Sequence, residues 1–231
     1  MKNKILVTIV ILLLLLTLTA CSKGKKTTTE DLLNIDYNVE GHETTLSKYD
    51  TTNPVVALYL ENYGSIVIEL YKDVATNTVN NFIYLVETGF YDNNTFHRLV
   101  PNFVFQGGDP TGTGMGDPGY KIKGEFKSNG YENNLKHTKW VVSMARASYS
   151  NDTAGSQFFI MLDDADYLDG EYAAFGKVID GYENIEKIVK NERIADQETG
   201  KLQKNIKIKK ALVDLKGLTY EEPEKIITNA K

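Results

Sequence analysis

The chain has one cysteine, one tryptophan, three histidines and five prolines in its 231 residues. A lone cysteine excludes an intrachain disulfide and a cysteine-built metal cluster. His42 and His137 have no partner cluster in the sequence, so no metal site is proposed. Scarce proline beside 18 glycines and 42% hydrophobic residues excludes a disordered chain. Excess positive charge is also lacking: the formal net charge is −5, which disfavours a nucleic-acid partner. There is no internal repeat and no long low-complexity tract.

The one long apolar run, residues 5–16, is short for a spanning helix. It follows the positive stretch Met1-Lys2-Asn3-Lys4 and ends on Leu18-Thr19-Ala20-Cys21, so residues 1–20 read as a secretory signal peptide. The L-T-A-C ending resembles the bacterial lipobox. That resemblance implies lipidation of Cys21 and a protein anchored at the extracytoplasmic face of the bacterial cell membrane. Residues 21–52 then form a tether and N-terminal extension, polar and rich in Lys and Thr at its start. The folded domain spans residues 53–216, and residues 217–231 are a charged tail with one apolar pair, Ile226-Ile227.

Within the domain, β-rich runs at 55–60 and 65–70 flank Glu61-Asn62-Tyr63-Gly64 and predict a hairpin. Val79, Phe82, Ile83 and Val86 recur at helical spacing over residues 75–88, and Gly89 stops the helix. Residues 95–109, T-F-H-R-L-V-P-N-F-V-F-Q-G-G-D, predict two short strands around a turn at Pro101-Asn102. Simple alternation puts Phe96, Arg98 and Val100 on one face and His97 and Leu99 on the other, so His97 should point away from Arg98. Residues 109–120 are a glycine-rich loop whose G-T-G-M-G lacks the following Lys-Ser/Thr of a phosphate loop. A strand with loops is expected over 121–135, and strands over 140–144, 158–162, 173–178 and 206–215. A second amphipathic helix follows Asp180-Gly181, with Ile185, Ile188 and Val189 on one face. About eight short strands and two helices favour a closed antiparallel barrel over a parallel sheet.

Three segments carry a more specific signal. F-H-R-L-V-P-N-F-V-F-Q-G-G-D, S-M-A-R-A-S-Y-S-N-D-T-A-G-S-Q-F-F-I (residues 143–160) and Y-L-D-G-E-Y-A-A-F-G-K-V (residues 167–178) occur in this order and closely resemble the cyclophilin family of peptidyl-prolyl cis-trans isomerases. The likeness covers roughly residues 54–215. It implies a mostly β fold, a closed eight-stranded antiparallel barrel capped by two α-helices, with a groove on its outer face. It further implies Arg98 as the catalytic arginine, Phe103 and Gln106 beside it, and a substrate groove formed by Val104, Ala145, Arg146, Gln157, Phe159, Leu168 and Tyr172. The expected partners are proline-containing segments of secreted proteins; no cofactor is called for, and a monomer is expected.

Some positions depart from the family's pattern. Val104 stands where methionine is usual, Tyr172 where histidine is frequent, Tyr167 where tryptophan is frequent, and Trp140 where glycine is common. The activity that the resemblance implies needs no general base, so His97 reads as structural.

Overall fold

The computed structural model describes residues 46–227; Cys21, the apolar leader and most of the tether lie outside the described residues. Nine strands follow in order: β1 (Val55–Leu60), β2 (Gly64–Leu70), β3 (Thr95–Val100), β4 (Val104–Asp109), β5 (Val141–Met144), β6 (Phe158–Met161), β7 (Ala174–Asp180), β8 (Ile194–Asp196) and β9 (Lys201–Asp214). Helix α1 (Thr76–Glu87) falls between β2 and β3, and α2 (Tyr182–Asn191) between β7 and β8. The strands pair in the order β1-β2-β7-β5-β6-β4-β3-β9, and β9 pairs back onto β1. Eight strands therefore close a ring in which every pairing is antiparallel. Closure removes the edges along which another chain could add. The ninth strand, β8, pairs only with the start of β9; three residues leave no alternation to read, and β9 is correspondingly longer than the sequence suggests.

Period-2 alternation gives the barrel wall two apolar surfaces. In β6, Phe158 and Ile160 join the main core, whereas Phe159 and Met161 join a separate cluster with Val104 of β4 and Leu168. The main core centres on Phe82 of α1, whose ring lies 5.1 Å from Tyr91, 5.2 Å from Phe158 and 5.1 Å from Phe175. Ile185 and Ile188 of α2 bury in the same core. Helix α1 has no capping side chain at Ala75. Glu125 serves instead: its carboxylate accepts from the Asn77 N–H at 2.9 Å and the Thr78 N–H at 2.7 Å, placing negative charge at the helix's positive end.

Two expectations fail locally. Residues 121–135 form no strand, only the single bridges Lys121–Ile226 and Ile122–Ala154 and a short 3-10 turn, Lys127–Asn129. The chain there is pinned by side chains instead, with Asn133 Nδ2 donating to the carbonyls of Glu125 and Ala174. Trp140 is not part of β5. Its φ is +75°, a left-handed conformation in which glycine costs nothing. Such a backbone suits the glycine that the resemblance makes common at this position; here the indole lies 5.2 Å from the Tyr182 ring centre and 4.6 Å from the Lys139 ammonium.

Both flanks of the barrel are clasped. Leu46 buries with Val55, Ala57 and Val67 on the outside of β1 and β2, and Lys216 Nζ donates to the carbonyls of Leu46 and Tyr49, both at 3.0 Å. The tail runs back along α1, where Glu224 N–H donates to Asn77 at 2.7 Å and the Lys225 ammonium sits 3.9 Å from the Tyr84 ring centre.

Candidate active site

The site begins with a bulge. Arg98 lies opposite Gln106, but Phe96 lies opposite Gly107, so His97 is an extra residue in β3. The bulge breaks the simple alternation: Phe96 and Leu99 both face the main core, while Val100 packs with the outer cluster. Phe96 and Arg98 therefore do not share a face, and the guanidinium is turned to the outside of the barrel, the kind of re-aiming bulges provide. His97 is buried against the glycine-rich loop beside Gly114, and its Nδ1 has no hydrogen-bond partner among the described residues.

Two bonds fix the arginine. Arg98 Nε donates to the Thr199 carbonyl at 2.8 Å, and Nη1 donates to Gln106 Oε1 at 3.1 Å. The guanidinium carbon is 6.0 Å from the Phe103 ring centre. Partial burial lowers the Arg98 pKa from its ordinary value, yet a guanidinium remains charged in any protein setting. Because Gln106 Oε1 accepts, its Nε2 faces Gln157 Oε1, to which it donates at 3.1 Å. Gln157 Nε2 in turn donates to the Gly114 and Gly116 carbonyls at 3.0 and 2.9 Å. The orientation of both amides follows from the arginine at one end and the loop carbonyls at the other.

Beside Arg98 opens a groove of about 260 Å³, lined by Phe103, Val104, Gln106, Ala145, Arg146, Phe159, Leu168 and Tyr172 as well as Arg98 itself. Every groove residue expected from the sequence is thus brought together except Gln157. That residue lines an adjoining recess of about 220 Å³, bounded by the exposed Met115 and Tyr149. Arg146 is engaged on the wall: its Nε donates to the Glu171 carbonyl at 3.0 Å, and its guanidinium lies 4.9 Å from the Tyr172 ring centre. Tyr167, 66% exposed, stacks over Phe103 at 6.1 Å and extends the rim.

Behind the groove lies a buried polar chain that sequence reasoning missed. His137 Nδ1 is 3.1 Å from Asp169 Oδ1, and its Nε2 is 3.0 Å from Ser143 Oγ. The imidazole stacks 6.1 Å from Phe159 and meets Tyr172 edge-on at 6.5 Å, so it backs the groove's aromatic wall. Burial pushes the His137 pKa down, more than Asp169 pushes it up. Burial raises the Asp169 carboxyl, but hydrogen bonds from His137 and Lys136 outweigh this and hold it below its ordinary value. His97 is likewise pushed down by burial, with Asp109 opposing and Arg98 assisting. Below about pH 6.5 the unfolded chain takes up protons that these two folded histidines refuse. Their contribution to stability is therefore complete above that pH and declines as pH falls toward their depressed folded values. Thermal melts from pH 7.5 to 5.0 should show a falling Tm, with a slope of at most about 1.4 kcal/mol per pH unit for each histidine. His97→Gln should flatten the profile; a wild-type Tm independent of pH across this range would contradict it.

None of the nine groove-lining residues is a serine, threonine, cysteine or lysine. What the groove offers a ligand is an oriented cation beside an apolar recess on the outside of a closed barrel. Comparison with known proteins makes this specific: the chain belongs to the cyclophilin type peptidyl-prolyl cis-trans isomerase/CLD family, whose model matches residues 55–213. It is 48% identical over 124 residues to peptidyl-prolyl cis-trans isomerase B of Bacillus subtilis, covering 54% of this chain and 82% of that protein. To the peptidyl-prolyl cis-trans isomerase of Helicobacter pylori it is 42% identical over 135 residues, covering 58% and 79%. A crystal structure of a Cryptosporidium parvum cyclophilin type isomerase, solved in the presence of the dipeptide Ala-Pro, superposes with a TM-score of 0.60 at 34% identity, covering 69% of this chain and 98% of that one. The protein is a peptidyl-prolyl cis-trans isomerase.

Proposed function

We propose that the enzyme works at the extracytoplasmic face of a bacterial membrane, held by lipid on Cys21, where it speeds X-Pro isomerisation in secreted and surface proteins as they fold. In this reading Arg98 is the catalytic residue. An X-Pro bond resists rotation because amide resonance is lost, a barrier of about 18–20 kcal/mol, and unaided exchange takes tens of seconds or more. In the twisted state the prolyl nitrogen becomes pyramidal and gains a lone pair. A guanidinium donor aimed at that nitrogen binds the twisted state better than the planar one, and only this difference accelerates the reaction.

The observation that carries the assignment is the pair of bonds from Arg98 to Thr199 and Gln106, which leaves Nη2 uncommitted to either anchor at the mouth of an apolar groove. Phe103, Val104, Phe159 and Leu168 take the proline ring. Gln106 orients the arginine, Gln157 orients Gln106, and the Ala145 backbone with Arg146 and Tyr172 holds the peptide while one side of the bond turns. The Cryptosporidium structure solved in the presence of the dipeptide Ala-Pro supports proline-containing peptides as ligands here.

The anchor is tested separately from the chemistry. Cys21→Ser should move the protein from the membrane fraction to the soluble fraction with the activity per molecule unchanged, and a label from fatty acid should be lost. Unchanged partitioning of the variant would remove the lipid from the account and leave the isomerase intact.

A further inference from the structure

Of the two groups that hold Arg98, only Gln106 belongs to the barrel wall. The other, Thr199, lies 101 residues away in the turn between β8 and β9, a part of the chain outside the three segments that carry the family resemblance. A backbone carbonyl can aim a guanidinium only if the turn that carries it is itself fixed. Within this turn one side chain, Asp196, accepts three of the hydrogen bonds. Asp196 Oδ1 accepts from the Glu198 N–H at 2.9 Å and the Thr199 N–H at 3.4 Å, and Oδ2 accepts from the Thr199 hydroxyl at 2.9 Å. The turn is also sewn to the arginine's own strand. Gly200 N–H donates to the Asp196 carbonyl at 2.9 Å, and the Gly200 carbonyl accepts from the Leu99 N–H at 2.8 Å. Gly200 has a φ of +74°, and a Cβ there would lie 2.5 Å from Val100 Cγ2.

We propose that the Asp196–Thr199 turn is a positioning clamp for the catalytic arginine, with Asp196 as the residue that sets it. The inference rests on Arg98 being the donor to the twisting amide. Rotation about the Cδ–Nε bond swings the outer nitrogens of a guanidinium through an arc. Gln106 alone holds one corner of the fork. Adding the Nε–Thr199 bond defines its plane, and thereby where Nη2 meets the substrate. A donor misplaced by a fraction of an ångström keeps its attraction for the ground-state peptide and loses its preference for the twisted bond. The clamp should therefore act on kcat and leave KM largely alone. Because Asp196 is solvent-exposed and contributes nothing to the core, its loss should leave the fold standing.

The test compares the full-length chain with Asp196→Ala, Asp196→Asn and Arg98→Ala, using a short Ala-Pro peptide. For Asp196→Ala, kcat should fall about fivefold with KM within about twofold of wild type and Tm unchanged. Asn keeps one side-chain oxygen for the Glu198 and Thr199 N–H groups and should restore most of the rate. In side-chain NMR spectra, the Arg98 Nε–H signal should exchange with solvent faster in Asp196→Ala than in wild type, while the Gln106 side-chain amide signals stay in place. If Arg98→Ala is inactive but Asp196→Ala matches wild type in kcat, or if its Nε–H signal is unmoved, the clamp is wrong and the role of Arg98 stands. If Arg98→Ala retains full activity, the role of Arg98 itself is wrong, and the clamp falls with it.

Discussion

Arg98→Ala is expected to lower kcat/KM for an X-Pro peptide about a hundredfold while changing its Kd by no more than about threefold. The size follows from the chemistry. A charge-assisted hydrogen bond at a site partly shielded from water contributes about 1.5–3 kcal/mol, which is roughly 10- to 150-fold in rate. The split between rate and affinity follows from the geometry. The apolar groove of Phe103, Val104, Phe159 and Leu168 is built on other strands and loops, and it remains after the guanidinium is removed. Arg98→Lys should rescue little, because an ammonium cannot bond Thr199 and Gln106 in the same plane and still offer a third donor in a fixed direction. Parallel losses in affinity and rate would mean that the arginine binds peptide and does not discriminate the twisted state.

Gly108→Ala should be strongly destabilising, costing about 3 kcal/mol and about 10 °C in Tm. Gly108 is an extra residue in β4 where Thr95 pairs with Asp109 and Phe96 with Gly107. Its φ is +86°, and an added Cβ would lie 2.3 Å from the Ser156 carbonyl and 3.0 Å from the Phe158 ring. Backbone and core aromatic both stand in the way, and neither can give without moving β6, which carries Phe159. Gly130 provides the contrast. Its φ is +76°, but nothing lies within 4 Å of an added Cβ, so Gly130→Ala should cost only the conformational term, about 1–2 kcal/mol. Equal losses at the two glycines would show that crowding against Ser156 is not what Gly108 avoids.

The alternation of Phe158 to Met161 and the spacing of Val79, Phe82, Ile83 and Val86 are local signals, and they gave the strands, the helix and the barrel class. Arg98, Phe103, Gln106 and Phe159 were legible because their family pattern lies in compact segments. What escaped depends on contacts between distant parts of the chain. The His97 bulge overturns simple alternation because pairing with β4 and β9, not local pattern, sets which residue is extra. Glu125 reaches the start of α1 across 48 residues, where no capping side chain announces it. His137 looked isolated because Asp169 is 32 residues away and joins it only when β5 and the loop after β6 come together. Trp140 stands on a backbone of positive φ that no sequence pattern reports.

The central claim is that this groove turns a bound prolyl bond and does not merely hold it. Exchange NMR on a short Ala-Pro peptide, with protein present at about one part in a hundred, measures that step directly. Wild type should give cis–trans exchange cross-peaks on a sub-second timescale, against tens of seconds without protein; with Arg98→Ala the cross-peaks should vanish, while a separate titration with protein in excess still shifts the peptide resonances. Peptide shifts with wild type but no exchange would contradict the account and leave a proline-binding module in its place.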